Sequence, residues 1–568
     1  MNFELKIKQL LKKEVKLEKI ILETPLNPEL GDFSFPCFQL SEKLPKVSTA
    51  VERQKNPSEI AQELEKKIPS ANFINKIKAN GPYLNFFIDY KLCAPEILTK
   101  IYKEKENYGK LKIGQNKKIV LDYSAPNIAK PLSIGHLRST IIGQALYNIF
   151  NFLGYKSIGV NHLGDWGTQF GKLIYAYKKW GNEAELKKSP IKYLLSLYIK
   201  FHEEAEKDEA LDDQAREEFK KLENKNPQVT KLWKKFSKLS LKEFNKVYKI
   251  LNINIDYNTG ESFYNNKLEK AIQKVKEKIA TKKSQGALIV DLEKYKMPPV
   301  LLKKSNGTST YHTRDLATAF YRLKKFKPKK LLYVVGSEQK LHFEQLFKVL
   351  DLMGLNNDKF IHVDFGLFKF PEGKMSTREG KIIFLEDVIN KSIKLATKII
   401  NEKNPDLENK ADIAKKVGVG SLIFGDLKND RTKNIEFNWD RILSFDGETG
   451  AYLQYTYARS CSIIKKAKIK ISPKINFNVI KEKEELKLIK RLNSFSDALI
   501  KVSETYQPYH LAQYLIELAK EYNEFYNNCK VINKDKEIMK MRLLLVSSVK
   551  QVLANGLKLL GIEVVEEM

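Results

Sequence analysis

A β-branched run, KIVLDYS, leads through a turn-rich loop into a long apolar-periodic helix, APNIAKPLSIGHLRSTIIGQAL, and a second strand-like run, YKSIGVN, follows. Few folds accept that order. Two neighbouring parallel strands need a crossover of a dozen or more residues, and a helix supplies it, so the segment reads as a βαβ unit of the nucleotide-binding kind. KKLLYVVGS and KFIHVDFGLF offer further parallel strands later in the chain.

At 568 residues the chain exceeds one hydrophobic core, and its texture changes twice. Residues 1–113 read as a small α+β module, with a helix opened by the cap NPSEIAQELEKKI, a strand in GPYLNFFID, and a flexible linker near KENYGKLKIGQNKK. Residues 114–440 carry the βαβ signals, interrupted at about 178–258 by densely charged helical sequence expected to form a solvent-facing arm. From 441 to 568 nearly everything has helical period. The four cysteines form no CxxC pair, which argues against a disulfide framework or a cysteine-rich zinc site. No apolar stretch is long and uncharged enough to cross a bilayer, and a cytoplasmic protein is expected.

The formal charge of +31 calls for a polyanionic partner, because summed positive potential concentrates nucleic acid and releases counterions on binding. Only 11 of the 100 basic residues are arginine, so lysine-rich codon usage is an alternative source of that charge. Within the βαβ unit, Gly135 and His136 stand where the helix begins, and Lys130 precedes them by about a turn. Free N–H groups and the positive dipole end bind phosphate, glycine lets a ligand approach the backbone, and the histidine and lysine add donors. By itself this is equally an ordinary capped turn. A second basic stretch, GKMSTREG at 373–380, offers Lys374, Met375, Ser376 and Thr377 between glycines, a loop able to close on a triphosphate.

The pair of signals resembles the class I aminoacyl-tRNA synthetases. SAPNIAKPLSIGHLRSTIIG, NHLGDWGTQFGKLI, YHTRDLAT, VVGSEQKLHFEQL, KMSTREG and GAYLQYTYARS, in that order, resemble the arginyl-tRNA synthetase family over nearly the whole chain. The resemblance implies a multidomain α/β protein: a Rossmann-type catalytic domain with a helical insertion, an N-terminal domain for the tRNA elbow, and an α-helical C-terminal anticodon-binding bundle. It implies ATP with its Mg²⁺, L-arginine and tRNA(Arg) as substrates; His202, His342, His362 and His510 show no metal spacing, so no protein-held metal is expected, and a monomer is expected. Catalysis falls to Lys130, His136 and Lys374, and ATP binding also to Ser133, Gly135, Met375, Ser376 and Thr377. Tyr311, Asp315 and Gln339 would hold the guanidinium, and Asp122, Asn127 and Glu261 the amino-acid end.

Two positions depart from the family pattern. Ser133 stands where class I loops carry their first histidine, and Thr377 where many carry a second lysine, for which Lys130 is expected to substitute. TRDLAT also resembles the kinase catalytic loop, but Thr313 and Phe320 occupy the positions of its histidine and asparagine, and no GxGxxG precedes it. The remaining alternative is a tRNA-binding paralogue that keeps the fold without the chemistry.

Overall fold

The computed structural model describes residues 2–41, 56–369, 383–436, 438 and 447–568. The expected βαβ unit is present. Strand β1 (Lys118–Asp122) passes through helix α1 (Ile134–Phe152) to β2 (Lys156–Asn161). After α2 (Thr168–Trp180) come the insertion helices, among them α3 (Pro190–Ala205) and α4 (Pro227–Ile250), and then the short strand β3 (Tyr257–Asn258). Helix α5 (Tyr311–Phe326) precedes β4 (Lys330–Tyr333), and α6 (Lys340–Leu352) precedes β5 (Phe360–His362). The five strands lie in the order β5-β4-β1-β2-β3, all pairs parallel. From β1 the chain winds one way to β2 and later returns on the other side as β4. The topological switch therefore falls between β1 and β4, where Asp122 is in register with Tyr333, and open α/β sheets bind ligands at the carboxyl ends beside such a switch. Val120, Ile158, Val160, Leu331 and Leu346 pack in the core that fixes these strand ends.

Residues 109–462, 496–517 and 553–568 form one compact unit, which contains this sheet. It also holds a three-stranded antiparallel sheet of Lys282–Ser284, Ala287–Val290 and Val300–Lys303, which the sequence reading did not anticipate.

The second unit joins residues up to 108 with 463–495 and 518–552. In it, Phe33–Pro36 and Ile74–Asn80 flank Tyr83–Ile88 in an antiparallel sheet, and helix Pro57–Lys67 starts at the expected Asn56–Glu59 capping box. The N-terminal module is not self-contained. Tyr108 donates to the Leu492 carbonyl at 2.9 Å, Tyr102 to that of Ile471 at 3.2 Å, and Lys490 pairs with Asp32 at 2.6 Å. Part of the helical tail therefore shares one compact body with residues 2–108, and a deletion ending at 113 would strip those helices of their packing.

The stretch expected as a flexible linker is pinned by backbone hydrogen bonds. Leu111, Gly114 and Asn116 donate to the carbonyls of Phe152, Leu153 and Gly154. Gly114 is required there, since a Cβ would lie 2.3 Å from the Tyr155 nitrogen. Among the described residues no helix is long and apolar enough to cross a membrane.

Candidate active site

The loop from β1 to α1 carries three non-glycine residues in the left-handed region: Ser124 at φ +74°, Ala125 at +47° and Ala129 at +63°. Such residues persist only where surrounding bonds overdetermine them. Ser139 Oγ accepts from the Ser124 N–H at 3.0 Å, Asn161 Oδ1 from Ala125 at 3.0 Å, and Ser240 Oγ from Ala129 at 2.9 Å. Gly164 exchanges backbone bonds with Pro126 and Ile128 and leaves no room for a Cβ beside the Asn127 amide. The backbone is thus held from three directions before any ligand arrives. Asn127 is exposed at its crest.

Ser133 is the N-cap of α1. Its N–H donates to His136 Nδ1 at 3.1 Å, and its Oγ lies 2.9 Å from the same nitrogen. A nitrogen that accepts a backbone N–H carries no proton, so the imidazole's hydrogen sits on Nε2. Burial pushes the His136 pKa down to about 4, against the raising effect of the Ser133 backbone bond, so the ring is neutral at pH 7. His136 is therefore an N–H donor and not a charge. Gly135 is exposed in the first turn. The Lys130 ammonium lies 4.8 Å from the centroid of the Tyr198 ring.

Lys374, Met375, Ser376 and Thr377 lie outside the described residues, but both flanks of 370–382 are described. On one side Ser133 bridges to Phe384, and Leu385 donates to the Leu132 carbonyl at 2.8 Å. On the other, Phe368–Lys369 pairs in parallel with Ile435–Glu436, and Arg138 of α1 bonds the carbonyls of Gly366 and Lys433. Arg138 is itself paired with Asp426 at 3.0 Å, both side chains fully buried. The same helix that opens at the Gly–His step therefore ties down both flanks of the second motif.

A second group of side chains is acidic. Asp315, one turn into α5, has Oδ2 2.6 Å from His342 Nε2 of α6, and the rings of His342 and His312 lie 4.3 Å apart. Burial alone would raise Asp315. The His342 bond and the fields of His342, His162 and Arg322 more than offset it and hold the carboxyl below its ordinary range. Glu261 opens the short helix Glu261–Tyr264 with Oε2 3.6 Å from Arg314. Burial pushes Glu261 up to about 7 despite Arg314, and the charges of Asp165 and Asp315 add to the rise. Asp165, itself raised by burial, accepts from the N–H and Oγ of Ser262 at 2.8 and 2.6 Å.

Asp315 and Glu261 are thus brought into one acidic cluster. Tyr311 stays 70% exposed, its ring 5.8 Å from the Arg314 guanidinium, and Gln339 is exposed at the N-cap of α6. Asp122 stands apart from them, because its Oδ2 accepts from the fully buried Arg322 at 2.7 Å and the chain neutralises that acid internally. Sequence reasoning missed Asp165, Arg314 and His342 as members of the cluster. Asp165 had one signal, an acid between two glycines in GDWG. His342, three residues after Gln339, had none that separated it from an ordinary helical histidine.

A parallel sheet with this switch point, a Gly–His helix start and, tied to the same helix, the two described flanks of a basic Gly-flanked sequence are the features of a class I aminoacyl-tRNA synthetase catalytic domain. Residues 97–439 match the family model for the class I (R) tRNA synthetase catalytic domain, residues 2–88 the arginyl tRNA synthetase N-terminal domain, and residues 453–568 the DALR anticodon binding domain. The chain belongs to the arginyl-tRNA synthetases. It is 48% identical over 565 residues to an arginine–tRNA ligase of Clostridium botulinum (strain Okra / Type B1), covering 99% of this chain and 98% of that one. With the Clostridium beijerinckii arginine–tRNA ligase it shares 46% over 574 residues and the full length of both. Its fold is similar to the Thermus thermophilus arginyl-tRNA synthetase, with TM-score 0.85, 24% identity and coverage of 100% and 99%. The Plasmodium falciparum arginyl-tRNA synthetase follows at 0.83, with 27% identity and coverage of 99% and 98%.

Proposed function

We propose that this chain performs its family's reaction, in which arginine, ATP and tRNA(Arg) give arginyl-tRNA, AMP and pyrophosphate, with the two groups of site residues in divided roles. The arginine carboxylate attacks the α-phosphorus of ATP, a step that needs positioning and neutralisation of phosphate charge more than a general base. His136 donates through Nε2–H, the Gly135 turn presents free backbone N–H groups, and Lys130 supplies a point charge. Ser133 holds the His136 ring. Lys374 is assigned the second cation, in the loop with Met375, Ser376 and Thr377, and Mg²⁺ arrives with ATP. Asp315 pairs with the guanidinium beside Tyr311 and Gln339. Glu261 and Asn127 take the ammonium end, and Asp122 contributes through its pair with Arg322.

The observation that carries this reading is the acidic cluster of Asp315, Glu261 and Asp165 in a strongly basic chain whose βαβ unit also holds a helix start suited to phosphate. A cation entering that cluster returns Glu261 to its ionised form, so binding and deprotonation support each other. In the same reading residues 1–113 bind the tRNA elbow, 114–440 catalyse, 441–568 hold the anticodon arm, and the protein acts as a cytoplasmic monomer.

Pyrophosphate exchange with each amino acid in turn tests the assignment. Exchange is expected with arginine alone and only when tRNA(Arg) is present, including tRNA whose 3′ ribose has been oxidised. Absence of arginine-dependent exchange with intact tRNA would leave the paralogue reading standing. Vigorous exchange without tRNA would show a pocket already assembled.

A further inference from the structure

The inserted helices were expected to face solvent, yet their inner face reaches the phosphate loop at three points. Ser240, fully buried on α4, donates its hydroxyl to the Phe236 carbonyl at 2.8 Å. With that proton committed, an Oγ lone pair faces the loop and accepts the Ala129 N–H. Tyr248 of the same helix sits 2.8 Å from Ser124 Oγ and accepts from Asn161 Nδ2 at 3.2 Å, closing a network around the other two left-handed residues. Tyr198 of α3 places its ring 4.8 Å from the Lys130 ammonium.

Ala129 and Lys130 are consecutive, so the insertion grips both the backbone from which the lysine departs and the head it carries. An ammonium over an aromatic face is attracted by the ring quadrupole while keeping its donors for other partners. A long lysine side chain otherwise samples many rotamers, and a cation that must meet phosphate in the transition state gains from being aimed in advance.

We propose that Tyr198 is a positioning residue for Lys130, acting on arginine activation through that ammonium alone, while Ser240 fixes the turn beneath it. The inference rests on the phosphate role assigned to Lys130 above. The insertion is then a working wall of the ATP site.

The test is a double-mutant cycle on the full-length enzyme, read as pyrophosphate exchange with tRNA(Arg) present, with KM for arginine and a melting curve for each protein. Tyr198→Leu is expected to slow exchange roughly three- to tenfold, the span of one cation–π contact, with KM for arginine unchanged. Tyr198→Phe keeps the ring and should retain the wild-type rate. In the Lys130→Ala background, Tyr198→Leu should cost nothing further. Equal losses in both backgrounds, or an unimpaired Tyr198→Leu enzyme, overturn the proposal. An unimpaired Lys130→Ala enzyme overturns the phosphate role itself and this inference with it. If Tyr198→Leu does not fold, Tyr198→Met gives the same comparison with a flexible apolar side chain.

Discussion

In the proposed assignment, the two groups of site residues meet their ligands by opposite means. The wall assigned to phosphate sets the Lys130 cation in a frame of backbone and neutral groups: left-handed turns held by serine and asparagine side chains, and a histidine kept uncharged. The acidic wall is built from titratable groups close enough to shift one another, with Asp315 held low and Glu261 held high. A triphosphate brings its own charge and needs fixed donors. A small cation in a basic chain needs several carboxylates gathered in one place, here Asp315 and Glu261 beside Asp165. The two walls should therefore respond differently to substitution and to pH.

Asp315→Asn should produce the largest effect and confine it to the acidic wall. Removing one member of a desolvated charge pair costs about 3 to 5 kcal/mol, so KM for arginine should rise on the order of 10²- to 10³-fold while KM for ATP stays near wild type. A small rise shared by both substrates would dissolve the distinction. Lys130→Ala should do the reverse, lowering the rate of arginine activation by roughly 10²-fold with little change in arginine KM, as for loss of a group that acts on transition-state charge. Single-turnover measurements with tRNA(Arg) separate the two cases.

Glu261 gives the comparison its pH signature. With its carboxyl raised to about 7 in the free protein, arginine must drive the proton off below that pH. Affinity should therefore strengthen by up to about tenfold per unit as pH rises from 6 to 7, then level off. Glu261→Gln should bind more weakly and lose this slope. Stability runs the other way. The folded protein holds the proton longer than the unfolded chain, so it binds more protons between about 4.5 and 7 and loses stability as pH rises through that window. Glu261→Gln carries no such penalty and should melt at a higher temperature than wild type above pH 7, measured without arginine. An identical melting profile would remove Glu261 from the acidic cluster.

The smallest effect belongs to Ser133. Ser133→Ala deletes the hydroxyl beside His136 Nδ1 but keeps the backbone N–H that fixes the tautomer. The loss should be about 1 kcal/mol, in the range of an N-cap hydroxyl, seen as a few-fold drop in activation rate. Because His136 titrates near 4, the rate at saturating arginine should show no break attributable to that ring between pH 6 and 8. A restored break in Ser133→Ala would mean that the hydroxyl, and not burial, keeps the ring neutral.

The strands KIVLDYS and YKSIGVN, the helix after Gly135 and the cap at Asn56 were legible because each rests on neighbours in sequence: β-branching, apolar period, a side chain three residues from the N–H it accepts. The sheet of 282–303 was not, since its strands run only three or four residues and Lys282–Ser284 is exposed throughout. Of the site, Gly135, His136 and Lys130 were legible as a helix start, and Asp315 as an acid one turn from Tyr311. The linker at 105–118 was misjudged because its polar residues look solvated, while its backbone donors are spent on the end of α1.

By itself the sequence determined the class of this protein. The order of strand, loop, helix and strand, and the spacing of the two phosphate motifs, depend on local propensity and on the rule that parallel strands need a helical crossover. Tertiary structure decided which charges are available. Asp122 and Asp315 are both acids in motif segments, yet the fully buried guanidinium of Arg322, 200 residues away in sequence, occupies the first, while the second meets only the imidazole of His342. Tertiary structure also turned a charged insertion into the support of Lys130. Pairing and desolvation depend on what stands within a few ångströms, and no periodicity in one dimension records which distant residues folding brings that close.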